Sequence, residues 1–210
     1  MPAHNEQFHE RRPNRKRHNR KSTGRFIEKP VIKRNANIDV TVREIRNDEL
    51  GILEDVLYEA VYRPPGTKPL PRAIIKIPEI YICIENFGSK KDDYCLVAET
   101  ENKITGAVWI RILDGPVKGF GNIDDRTPEF GIALFEEYRN LGIGTRMMKE
   151  MIKYMKQKGY EKTSLSVNKD NYAVKMYLKT GFEIIEENKD DYLMLSELNP
   201  KNENDNSKRK

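Results

Sequence analysis

Between Pro128 and Gly159 the hydrophobic period of the sequence changes at a pair of glycines. Pro128 to Phe135 (PEFGIALF) is a β-favouring run. After it, Met147, Met148, Met151, Ile152 and Met155 form a stripe at helical spacing, and Gly159 ends the pattern. The link is Tyr138-Arg139-Asn140-Leu141-Gly142-Ile143-Gly144-Thr145. A strand, a glycine turn and a helix in that order make an anion site. The first N–H groups of a helix have no intrahelical partner, and its dipole favours negative charge there. Glycine lets the backbone approach oxygen atoms that a Cβ would hold away. A phosphate is the natural occupant, with Arg139 and Thr145 adding a charge and a hydroxyl. The alternative is a tight turn that binds nothing. The P-loop pattern is absent, and the third glycine of the dinucleotide pattern is replaced by Met147.

The rest of the chain reads as about seven strands with helices interspersed, an α/β or α+β single domain. Residues 38–44 alternate as a strand, and Asp48 to Tyr62 has helical periodicity. RPPGTKPLPR then breaks regular structure. Residues 73–86 are ambiguous, with a short helix around Glu79 to Glu85. Tyr94 to Glu99 and Ile104 to Leu113 are strands joined by a polar turn. Thr163 to Val167 is a strand, Asn171 starts a helix that Gly181 ends, and Phe182 to Glu186 and Tyr192 to Glu197 close as strands.

Charge is unevenly spread. Residues 1–35 hold eleven Lys/Arg against three Glu, and 200–210 four against two, so of the overall +5 the body 36–199 carries −5. The two ends therefore read as tails, 1–35 basic and 200–210 polar, with the composition of disorder. The domain is 36–199. The N-terminal tail is either a solvated segment or a phosphate-seeking tether. All three histidines lie in it, at 4, 9 and 18. The body therefore has no Ser-His-Asp triad, Cys-His pair or His-ligated zinc, and no metal site is expected. Cys83 and Cys95 lack metal-ligand spacing and read as free thiols. No apolar run approaches membrane-spanning length and no secretory signal is visible, so a cytoplasmic protein without membrane contact is expected.

A second segment, Ser166 to Phe182 (SVNKDNYAVKMYLKTGF), supplies a family. Together the two segments resemble the GNAT N-acetyltransferases, which transfer acetyl from acetyl-coenzyme A to an amine. The family's cofactor motif [RQ]-x-x-G-x-[GA] is matched by Arg139 to Gly144. Its later motif is matched at Asn171, Ala173, Met176, Tyr177, Gly181 and Phe182. The resemblance covers about 38–198. It implies a GNAT-like fold, a mixed, mostly antiparallel, twisted central sheet flanked by helices. It also implies a cofactor, acetyl-CoA, held by Arg139, Asn140, Leu141, Gly142, Ile143, Gly144 and Thr145 at the diphosphate. Ile132, Ala133 and Leu134 would bind the pantetheine arm. Asn171 would either cap its helix or also meet that arm. Tyr177 would protonate the departing thiolate, or else be a core tyrosine.

The attacking amine must lose a proton, and with no histidine in the body a carboxylate is the expected base. Glu129 shares a strand face with Gly131 and Ala133, whose small side chains leave room above it. It is the candidate base; the alternative is an exposed strand-end acid. On the acceptor side, Tyr58, Tyr62, Tyr81, Trp109, Arg111 and Tyr192 are candidates for a pocket, or else core residues. The expected partners are an amine acceptor, small molecule or protein, and a weak nucleic-acid contact through the N-terminal tail, with a homodimer open. The competing reading is a noncatalytic CoA-binding module with a nucleic-acid- or ribosome-associating tail.

Overall fold

The computed structural model describes residues 39–199. Both expected tails, 1–35 and 200–210, lie outside the described residues. Seven strands form one sheet: β1 Thr41–Glu44, β2 Tyr94–Thr100, β3 Lys103–Arg111, β4 Glu129–Leu134, β5 Lys162–Asn168, β6 Glu183–Glu187 and β7 Asp191–Glu197, in spatial order β1-β2-β3-β4-β5-β7-β6. Neighbours pair antiparallel except β4 and β5, which run parallel. Helices α1 Ile52–Ala60, α2 Pro78–Tyr81, α3 Ile143–Gln157 and α4 Val174–Lys179 flank it.

Two apolar layers sandwich the sheet. On one side, Met147, Met148, Met151 and Met155 of α3 are fully buried with Val108, Ile110, Phe130, Leu165 and Phe182. Each such side chain contributes about 1.5–3 kcal/mol of burial, so the methionine stripe is what seats α3. On the other side, Leu53, Val56 and Leu57 of α1 cover Val97, Ala107 and Trp109.

The ambiguous stretch before β2 resolves into a 3₁₀ turn, Arg72–Lys76, followed by the single-turn α2 with Pro78 at its first position. A proline fits there because that position has no intrahelical N–H bond to lose.

β4 and β5 touch at a single register pair, Glu129 with Ser164. Beyond it the strands diverge. The remaining length of β4, Phe130–Leu134, is paired only with β3. This divergence opens between the sheet's two halves, and α3 starts at its far end.

Candidate active site

The turn into α3 leaves backbone amides free at the positive end of the helix. β4 ends at Leu134, and a 3₁₀ turn, Glu136–Tyr138, leads to Arg139. Asn140 and Gly142 both take positive φ, +62 and +81 degrees, which lifts the backbone into the helix. Arg146 donates to Gly142 O at 3.1 Å and closes the first turn. Among the described residues, no hydrogen-bond partner is found for the backbone amides from Asn140 to Thr145. Consecutive free amides at the positive end of a fifteen-residue helix are what a diphosphate needs. A Cβ on Gly144 would sit 3.6 Å from Leu134 Cδ1 and from Met176 Sδ. The turn therefore lies where the end of β4 and α4 converge.

Arg139 serves this turn from behind. Its Nε donates to Leu134 O at 2.9 Å, and its Nη2 to Glu59 Oε2 at 2.5 Å. Its charge is thus shared with an α1 carboxylate, and the guanidinium fixes the turn to β4 and α1. Asn171 accepts the Ala173 N–H on Oδ1 at 2.9 Å, which closes the turn ahead of α4; the helix's own N-cap is Ala173, with no side-chain cap bond.

Glu129 opens β4 on the face shared with Trp109, Arg111 and Gly131. Its carboxylate is buried. Gly121 N–H donates to Oε1 at 3.0 Å, and the Cys83 thiol lies 3.9 Å from the same oxygen. Burial pushes its pKa up to about 7, against the pull of the Gly121 amide. A buried carboxylate poised near neutrality is suited to accept a proton at physiological pH.

Tyr177 sits on the opposite face. It is 7 % exposed, edge-on to Phe182 with ring centroids 5.7 Å apart. Burial raises its pKa well above the usual tyrosine value, so it keeps its proton. Its hydroxyl has no hydrogen-bond partner among the described residues. The two candidates thus flank the sheet from opposite sides, one at the start of the β4–β5 divergence and one on α4.

Most of the acceptor-side candidates have structural tasks. Tyr58 donates to Leu70 O at 2.6 Å under the Arg72 guanidinium, and Tyr81 donates to Glu54 at 3.0 Å under Lys76. Trp109 is buried with its indole against Gly131, where any Cβ would collide with the ring. Arg111, 2 % exposed, is bound to Asp93, Ile82 O and Glu85 O. Tyr62 reaches Asp170 O at 3.3 Å, and Tyr192 lies under Lys169; both stay partly exposed. Among the described residues no cluster of His, Cys, Asp and Glu could hold a metal, and no helix is long and apolar enough to cross a membrane.

A family model described as the acetyltransferase (GNAT) family matches residues 58–182, more than half of the chain. This chain belongs to the GNAT acetyltransferase family. No curated protein matches it. Solved structures share the fold at low identity. One is the PaiA N-acetyltransferase of Thermoplasma acidophilum in complex with coenzyme A, 20% identical over 76% of this chain and 99% of that one, TM-score 0.54. A second is the ribosomal-protein-S18-alanine N-acetyltransferase of Escherichia coli, 13% identical over 79% and 98%, TM-score 0.53. A third is the putative acetyltransferase YncA of Salmonella typhimurium with its cofactor acetyl-CoA, 14% identical over 77% and 95%, TM-score 0.53.

The surroundings of Glu129 were not legible in the sequence of this GNAT chain. Gly119 and Gly121 bracket Phe120 in what reads as an ordinary loop. In the fold, a Cβ on Gly119 would collide with the Glu129 carboxylate, and one on Gly121 would come within 2.8 Å of Leu165 Cα. The only signal was the Gly-x-Gly spacing itself. Nothing local to Cys83 or Ser164 marked either as a neighbour of Glu129.

Proposed function

We propose that this chain moves an acetyl group from acetyl-coenzyme A to a primary amine, by direct transfer with both substrates bound. The run of free amides from Asn140 to Thr145 ahead of α3 carries the reading. It fits a diphosphate in charge, in spacing and in the clearance that Gly142 and Gly144 provide. When bound, acetyl-coenzyme A supplies an activated acyl group as its thioester.

The chain's own residues do the rest. Leu141 to Thr145 hold the diphosphate, and the edge of β4 from Ile132 to Leu134, unpaired toward β5, offers backbone groups to the pantetheine amides. Glu129, with a pKa of about 7, takes the amine proton directly or through one water. Tyr177, protonated throughout the neutral range, donates to the departing thiolate. Because Glu129 and Tyr177 lie on opposite faces, the β4–β5 divergence is the passage through which acceptor and thioester meet.

The acceptor is a primary amine on a small molecule or a protein. Release of free thiol from acetyl-coenzyme A, followed across a panel of polyamines, aralkylamines and peptides with free N-termini, tests the reading. Calorimetric titration with coenzyme A runs alongside. Tight coenzyme A binding with no turnover on any amine would replace it with the noncatalytic reading, in which the basic segment 1–35 makes a nucleic-acid or ribosome contact.

A further inference from the structure

The connection between β3 and β4 folds a turn over Glu129 and carries an aromatic side chain into solvent. Asn122 N–H donates to Gly119 O at 3.2 Å, so residues 119–122 form a hydrogen-bonded turn with Phe120 and Gly121 at its corner. Both ends of the turn are tied down just past β3. Lys118 Nζ donates to Leu113 O at 2.6 Å and pairs with Asp125. Asn122 Nδ2 donates to Leu113 O at 3.4 Å and to Asp124 O at 3.0 Å.

The inner side of the turn touches both strands of the divergence. Gly121 N–H reaches Glu129 Oε1 on β4 at 3.0 Å, and a Cβ on Gly121 would come within 2.8 Å of Leu165 Cα and Ser166 N on β5. A Cβ on Gly119 would fall 2.2 Å from Glu129 Oε2. Both positions are glycine because the turn lies flush on these groups. Glu129 and Ser164 are the one register pair joining β4 to β5, so the turn sits where the strands part. Gly119 covers Oε2, which is buried. An amine approaching that carboxylate therefore meets the turn first.

Phe120 stands between the two glycines. It is 62 % exposed, more than any other large apolar side chain among the described residues, and Val117 in the same loop is exposed as well. A single apolar side chain on a surface needs no explanation. This one is presented by an anchored turn whose neighbouring residues touch both Glu129 and the β5 backbone. The tip Gly119-Phe120-Gly121 offers no side-chain donor, acceptor or charge. What its side chains can recognise is apolar surface, which gains by leaving water on the ring.

We infer that Phe120 is a specificity residue for the acceptor, selecting primary amines carried on an apolar or aromatic body. The inference deepens the acetyl-transfer reading and rests on the acceptor meeting the thioester in the β4–β5 divergence. The amine goes in toward Glu129, and the apolar body stays outside against the ring. That body can belong to a small aralkylamine or to the first side chain of a peptide with a free N-terminus.

Phe120→Ala and Phe120→Leu test this, and a side chain so exposed can be changed with little effect on folding. The acceptors are phenethylamine against ethanolamine, and lysine-free tetrapeptides beginning with leucine against the same beginning with glycine. The wild type should favour the apolar member of at least one pair in kcat/KM. Phe120→Ala should lower that preference about tenfold, a usual share for one apolar contact in a pocket, and Phe120→Leu should restore most of it. The pair that responds identifies which source carries the body. A wild type with no apolar preference, or a preference that Phe120→Ala retains in full, overturns the inference. Calorimetric titration of the apolar amine and the leucine peptide into protein saturated with coenzyme A reads the same contact without turnover. If the wild type acetylates no amine, the transfer reading falls, and the calorimetry alone decides: weaker binding in Phe120→Ala supports the contact, and equal or absent binding overturns it. If Glu129→Gln keeps full turnover, Glu129 is not the base, and the preference lost in Phe120→Ala still supports the contact.

Discussion

Arg111 and Asp93 face each other across the interior of the fold through two hydrogen bonds of 2.7 Å, from Nε to Oδ1 and from Nη2 to Oδ2. Their side chains are 2 % and 0 % exposed. The pair also ties the turn after α2 to the sheet, because Nη1 donates to Ile82 O and Glu85 O at 2.8 and 2.6 Å. An arginine so engaged has no donor fork left for a substrate carboxylate. Arg111→Leu should therefore cost stability, about 3–5 kcal/mol, since Asp93 is left buried and unpaired. Urea unfolding reads that loss. The KM for the acceptor should change little in the fraction that folds; a selective rise in that KM with stability intact would restore the substrate role.

The two glycines of the turn are needed for different reasons, and substitution should separate them. Gly142 has φ of +81 degrees, so Gly142→Ala carries a backbone penalty of about 1 kcal/mol or more even without ligand. Gly144 has no such conformation, and a Cβ there meets only ordinary contacts at 3.6 Å. Gly144→Ala should leave the melting temperature nearly unchanged and weaken coenzyme A binding about tenfold, roughly 1.4 kcal/mol. Calorimetry on folded protein checks this; unchanged affinity would remove the diphosphate from the turn.

The fold was legible where local pattern and tertiary role coincide. The methionine stripe of α3, the glycine turn before it and the strand-favouring runs of β1 and β2 each appear in the sequence and recur in the structure. The site was legible only in part, because sequence motifs mark backbone geometry better than side-chain company. Arg139 carries the family motif, yet nothing near it announces Glu59, eighty positions away, as its partner. Tyr58 and Tyr81 look like pocket aromatics until the fold gives each hydroxyl an acceptor, Leu70 O of the loop for Tyr58 and Glu54 of α1 for Tyr81. The surroundings of Glu129 draw on Cys83 after α2, the loop 119–121 and β5, a convergence that no short window of sequence contains.

Glu129 should govern both rate and stability through one titration. Burial lifts its pKa from its ordinary 4.5 to about 7. If Glu129 is the base, only its ionised form takes the amine's proton, so kcat/KM should rise tenfold per pH unit below 7 and level off above it. Stability runs the other way. Below pH 4.5 the group is protonated in both folded and unfolded chains and contributes nothing. Between 4.5 and 7 the folded chain binds the proton more tightly, so stability falls as pH rises, by up to roughly 3 kcal/mol when complete. Glu129→Gln lacks that slope. Its urea-unfolding free energy should therefore gain on the wild type between pH 5 and pH 8, while its rate loses the acidic limb. Parallel stability curves for the two proteins would show that the carboxyl is not held in the buried state described.

Tyr177→Phe tests the other end of the proton path. The ring packs edge-on against Phe182 and belongs to the same core as Met148 and Leu165. Phenylalanine keeps that ring and removes only a hydroxyl that has no partner among the described residues, so folding stability should shift by less than about 1 kcal/mol. If the hydroxyl protonates the departing thiolate, kcat should fall by about 10²-fold, within the range of general acid catalysis. Coenzyme A affinity should barely move if, as proposed, the amides of the α3 turn hold the diphosphate. The alkaline side of the pH profile discriminates further. Burial holds the Tyr177 proton well above the usual tyrosine range, so the wild-type rate should stay level from pH 7 to beyond 9 instead of falling as an unperturbed acid deprotonates. A wild-type decline beginning near pH 8 would point to a different acid. Full kcat in Tyr177→Phe would leave this tyrosine as packing alone and pass the thiolate's proton to water.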